Sequence, residues 1–100
     1  MTTLEELEIK VPKIIDELQS IATAMAGYKK IKTDERARDL INQINGKIKQ
    51  IKSVMVTFRT NPSFKNHNFD NQVKMYEDMI RDYWDLYHRI KKFEDIIDYH

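Results

Sequence analysis

The chain has 100 residues, with 17 Lys plus Arg against 16 Asp plus Glu, a net charge of +1, two Gly, two Pro and no Cys. That length holds one domain over residues 1–100 and leaves no room for a second core. So few turn formers exclude a loop-rich or all-β fold, and the lack of Cys excludes a disulfide framework, a thiolate metal site and a Cys nucleophile.

The first ten residues are acidic, and no apolar run approaches the length of a signal peptide or a membrane span. The expectation is a soluble, cytoplasmic chain that does not enter a membrane. The charge is unevenly spread: residues 1–28 carry a net −3, residues 29–65 a net +7 and residues 66–100 a net −3. Two acidic segments around a basic one suit pairing within the molecule and do not demand a polyanionic partner.

The predicted elements are three helices, about 3–31, 34–59 and 69–98. The first opens at Thr3, with Glu6 three residues on as a capping box requires. Leu4, Leu7, Val11, Ile14, Leu18, Ile21, Met25 and Tyr28 recur at alternating steps of three and four, a seven-residue repeat through four heptads. Pro12 lies beside that seam, where it kinks or staggers the helix without diverting the stripe. Gly27 and the lysines up to Lys32 suit a helix C-terminus.

Thr33 is the expected cap of the second helix, with Asp34 and Glu35 in its first turn. Ala37, Ile41, Ile44, Ile48, Ile51, Met55 and Phe58 continue the rhythm, and Leu40 and Val54 widen it. Asn45-Gly46 is the counter-signal, because this dipeptide between apolar residues also reads as a two-residue hairpin turn. Seven matched positions outweigh it, leaving a weak spot of about 1 kcal/mol relative to Ala. Asn61-Pro62 stops the helix, since a residue before Pro resists helical dihedrals.

The third helix starts near Asn68 or Asp70 and carries the widest apolar face in the chain: Phe69, Val73, Tyr76, Met79, Ile80, Tyr83, Leu86, Tyr87, Ile90, Phe93 and Ile97, with Trp84 at its edge. An arc that broad implies contact with two neighbours at once. Short connections make successive helices antiparallel. The fold expected is therefore all-α, an up-down-up three-helix bundle with coiled-coil-like packing. Its core is Leu7, Val11, Ile14, Leu18, Ile21, Met25, Ile41, Ile44, Ile48, Ile51, Met55, Phe58, Val73, Tyr76, Ile80, Tyr83, Tyr87 and Ile90.

Enzyme signatures are missing. There is no Gly-rich phosphate loop, no G-x-S-x-G elbow and no H-E-x-x-H. None of the five Arg sits mid-seam, where a helical enzyme binding a dicarboxylate needs them. Asp85 and His88 have metal-ligand spacing, but they share the polar side of the helix, where charged residues are expected anyway. Glu94 falls within the apolar arc, near the helix end, where fraying of the terminus or pairing with a Lys of the first helix accounts for it. The reading is no catalysis, no cofactor, no metal and no small-molecule substrate.

What remains is recognition. Trp84, His88, Tyr99, Ile96 and Phe64, together with Ile9 and Val56, look surplus to the core, and exposed aromatics are common interface anchors. They point to a small interaction protein, a regulator or inhibitor binding an unidentified protein partner through a helix face. A first alternative is a nucleic-acid-associated protein using Arg38, Asn42, Asn45, Lys49 and Lys52, which share the outward side of the second helix. A second is self-assembly, since heptads this regular can complete their burial in a homodimer.

Overall fold

The computed structural model describes the backbone of residues 1–97 and the side chains through Lys92. It contains α1 (Leu4–Ala26), α2 (Glu35–Thr60) and α3 (Asp70–Ile97), with one 3-10 turn at Pro62–Phe64 before α3. Among the described residues there is no strand. The molecule is a rod of 58 × 21 × 15 Å, roughly the length of its longest helix plus the end loops.

Polar contacts fix the directions. Arg59 at the end of α2 donates to Glu8 near the start of α1 at 2.7 Å, so α1 and α2 are antiparallel. Thr2 meets Asp70 at the start of α3, and Glu17 meets Trp84 about four turns further along both helices, so α3 runs parallel to α1. The topology is up-down-up. α1 packs extensively against α2 and then against α3, whereas α2 and α3 touch each other least.

Each helix begins where a side chain satisfies free backbone donors. Thr3 Oγ1 accepts from the Glu6 N–H at 3.2 Å, and the Thr3 hydroxyl reaches the Glu6 carboxylate at 3.3 Å, so the capping box closes through the hydroxyl. The cap of α2 is Asp34, not Thr33. Its backbone is extended and its carboxylate accepts from the Arg36 N–H at 3.1 Å. At α3 the Asn68 side chain accepts from the Asp70 N–H at 3.0 Å. Asp70 turns its own carboxylate outward, accepting from Thr2 N at 2.6 Å and Thr2 Oγ1 at 2.7 Å, while Phe69 N donates to Thr2 O.

Two expectations about backbone continuity meet different ends. Pro12 and the Asn45-Gly46 pair are both absorbed into unbroken helices, and no described residue has a positive φ. The first helix, however, ends at Ala26, five residues short of the expected 31. Gly27 donates back to Thr23 and Ala24, and the chain leaves in turns. The reason is Tyr28: those turns fold its ring into the core at 4 % exposure and aim its hydroxyl at Asp34, 3.4 Å away. A continued helix cannot bring Asp34 back onto the bundle end.

The core follows the predicted seams with local changes. The α1 residues Leu7, Val11, Ile14, Leu18, Ile21 and Met25 are all buried, as are Ile44, Ile48, Ile51 and Met55 of α2 and Val73, Tyr76, Tyr83, Tyr87 and Ile90 of α3. Ile41, Phe58 and Ile80 are only partly buried, while Tyr28, Ala37, Leu40 and Phe69 are fully inside. Near its start α2 has turned slightly, so Leu40 and not Ile41 faces the α3 residues Leu86 and Ile90. Phe58 yields the interior of its end to Phe69, whose ring packs against it tilted by 57° at 4.9 Å between ring centres. No buried side-chain polar atom among the described residues lacks a hydrogen-bond partner.

Candidate functional site

The expected contact residues do not form one patch. Trp84 is half-buried at the α1–α3 junction, where its indole N–H donates to Glu17 Oε1 at 2.8 Å. His88, one turn on and exposed, lies nearly parallel to the indole at 6.0 Å, and Tyr87 meets that indole edge-on at 5.5 Å. Phe64 belongs to the other end of the bundle, roughly 20 Å away by helical rise. There it packs edge-on against Phe58 at 4.8 Å, in a cluster with His67 and Phe69. It is therefore not surplus to the core; it seals the loop between α2 and α3. Tyr99 lies outside the described residues, as do the side chains of Phe93, Glu94, Ile96 and Ile97.

On α2, Arg38, Asn42, Asn45, Lys49 and Lys52 are all exposed, and they share one outward column of the helix as its 3.6-residue period dictates. Val56, at 52 % exposure, continues the column. Ile9 stands exposed on α1 at 66 %.

The surface that gathers apolar side chains is the groove between α2 and α3. Met75 is 55 % exposed and Leu86 39 %, with the partly buried Met79 between them in the same column. At one end a cleft of about 360 Å³ is lined by Leu40, Leu86 and Ile90, with Asp39 and Arg89 at its rim. At the other end a cleft of about 300 Å³ is lined by Ile51, Val54, Met75, Tyr76 and Met79, with Lys47 at its rim. Asp78 and Asp82 flank the methionines on the outer side of α3. The signal for this groove was the width of the α3 arc, which exceeds what two neighbours cover. Met75 extends it, four residues before Met79 and eleven before Leu86.

Polar bridges explain why this groove stays open. α1 is held to α2 by Glu8–Arg59 and to α3 by Glu17–Trp84. Between residues 40–54 of α2 and 72–89 of α3, no described side chain bridges the two helices. Lys47 reaches Gln50 on its own helix at 3.4 Å, Gln72 donates to Tyr76, and Arg81 pairs with Asp78.

Four described groups are shifted from their usual proton affinities, among them Arg36, raised by its hydrogen bond to the Asp34 carboxylate. The Arg36 guanidinium, donating through Nε at 3.1 Å and Nη2 at 2.7 Å, holds the Asp34 carboxyl below the ordinary carboxylate value. The Thr2 hydroxyl and amide do the same for Asp70. Burial pushes the Tyr83 phenol up. Each shift belongs to a helix end or to the core, and none lies among converging catalytic groups. Among the described residues no three His, Cys, Asp or Glu side chains are placed to hold a metal ion, and no described helix is long and apolar enough to cross a membrane.

Comparison with known proteins finds nothing similar: no family model matches the chain, and no curated protein or solved structure does so.

Proposed function

We propose that this chain is a small, non-enzymatic protein–protein interaction module, a regulator or inhibitor in kind, and that it meets its partner through the α2–α3 groove. One observation carries the reading: Met75 and Leu86 stay exposed in the same column as Met79, beside a groove floored by core residues. An apolar strip with charged residues along its edge is the usual make-up of an interface. Methionine adds adaptability, because its unbranched, polarisable side chain fits differently shaped partners. This surface replaces the Trp84 column as the first place to test, since the indole is engaged with Glu17.

The test is photo-crosslinking in extract of the source cells, with a benzophenone amino acid placed at position 86 or, as control, at the exposed Ser20 on the far side of α1. The reading expects a discrete protein adduct from position 86 that disappears on adding Met75→Glu. Equal background from positions 86 and 20 overturns it.

A second reading, phosphate contact through α2, is supported by the shared exposure of Arg38, Asn42, Asn45, Lys49 and Lys52. A gel shift with mixed DNA and RNA that weakens steeply with salt, and that Lys49→Glu with Lys52→Glu abolishes, supports it. No shift at low salt rules it out.

A further inference from the structure

We infer that the occupant of the α2–α3 groove is a second copy of this chain, docked about a two-fold axis parallel to the helices so that α2 and α3 of both copies form a four-helix core. The inference rests on the interaction-module reading and gives that module its partner. Its ground is the order of charges along the two edges of the groove. On α2 the edge reads Asp39 then Lys47; on α3 it reads Asp82 with Asp78, then Arg89. Arg81 neutralises Asp78 and Asp34 neutralises Arg36 within the chain. Asp39, Lys47, Asp82 and Arg89 have no ion-pair partner among the described residues.

The clefts fix the levels of these charges. Asp39 stands level with Arg89 at one end of the groove. Lys47 stands level with Met79, which Asp78 and Asp82 flank. An axis parallel to the helices preserves level, so α3 of one copy runs beside α2 of the other with Lys47 facing Asp82 and Asp39 facing Arg89. Symmetry makes each pair twice. An axis perpendicular to the helices instead sets α2 against α2 and α3 against α3 with levels inverted, pairing Asp39 with Lys47 and Asp82 with Arg89, so the axis is read from whether Lys47 and Asp82 compensate each other across the interface. The same docking covers Met75, Met79 and Leu86, completing the third side of the α3 arc. The resulting four helices close on one another as in other bundles.

The test is sedimentation equilibrium of the purified chain, up to hundreds of micromolar, with circular dichroism as the folding control. The inference expects a dimer. Leu86→Glu and, independently, Met75→Glu should abolish it without loss of helicity, since both side chains are exposed in the single copy. Lys47→Glu and Asp82→Lys should each weaken association about tenfold. Mixing those two variants should restore much of the lost affinity as a heterodimer, because each copy then meets an opposite charge across the interface. A chain that stays monomeric throughout overturns the dimer. The interaction-module reading then stands or falls separately, on whether position 86 crosslinks to another protein in extract. A dimer indifferent to Leu86→Glu and to both charge changes overturns the assignment of this groove.

Discussion

The two flanks of α3 carry similar apolar content and meet opposite fates. On the α1 flank, Trp84 packs over the junction and its N–H is secured by Glu17; on the α2 flank, Leu86 and Met75 stay in solvent. The difference teaches that width of an apolar arc does not by itself predict burial. α1 reaches each neighbour through a polar side chain, Glu8 to Arg59 and Glu17 to Trp84, so it draws both onto itself and leaves the α2–α3 seam the least closed. Two of the five acids in residues 1–28, Glu8 and Glu17, make these contacts, and Glu8–Arg59 is an ion pair between the first acidic block and the basic one.

Mutations sharpen the contrast most at its centre. Leu18, with no exposed surface on α1, should cost about 3–4 kcal/mol when truncated to Ala, read as a lower urea midpoint at unchanged slope. On the α1 flank, Trp84→Ala should cost about 2 kcal/mol, and Trp84→Phe about 1 kcal/mol by leaving Glu17 without its donor. Equal stability of Trp84→Ala and the parent chain breaks the comparison, because it makes the indole a spectator.

The bundle ends respond to pH. Asp34 and Asp70 are both held below the ordinary carboxylate value, so their stabilisation is present above about pH 4 and is lost as pH falls through their lowered values. Tyr83 is raised by burial, so its contribution holds below about pH 10 and is lost as pH rises further. Thermal melts from pH 2 to 11 should therefore fall off at both extremes. Asp34→Ala should cost about 1 kcal/mol at neutral pH as the loss of a helix cap, and it should flatten the acid limb. An acid limb identical to that of the parent chain excludes the cap from that role.

Smaller effects test the open side. Gly46 lies mid-helix with nothing within 4 Å of where a Cβ would stand and without a positive φ, so Gly46→Ala should stabilise the chain by up to about 1 kcal/mol. Leu86→Ala, measured in dilute monomer, should change stability by less than about 1 kcal/mol. A loss as large as that at Leu18 shows Leu86 to be core and removes the groove as an exposed surface.

The three helices, their order, the core faces and the capping role of Thr3 were legible in the sequence, because heptad spacing and hydroxyl caps act within one or two turns. Less legible was the exposed groove. Phe64 looked idle in polar company until the loop brought it against Phe58, while Met75, unremarkable as a single methionine, is among the most exposed large apolar side chains of the groove. Thr33 was the cap expected on paper, with Asp34 read as a first-turn acid. Only the buried Tyr28, reaching Asp34, selected the second.

Sequence by itself determined the angular position of every side chain about its own helix, since that depends only on 3.6 residues per turn. The tertiary structure decided which sector of each helix is covered, because that depends on where neighbouring helices stand and on the few polar side chains, Glu8 and Glu17 among them, that hold α1 against both. Leu40 therefore replaces Ile41 in the core. By the same logic α3 hides its Trp84 edge and shows the edge of Met75 and Leu86.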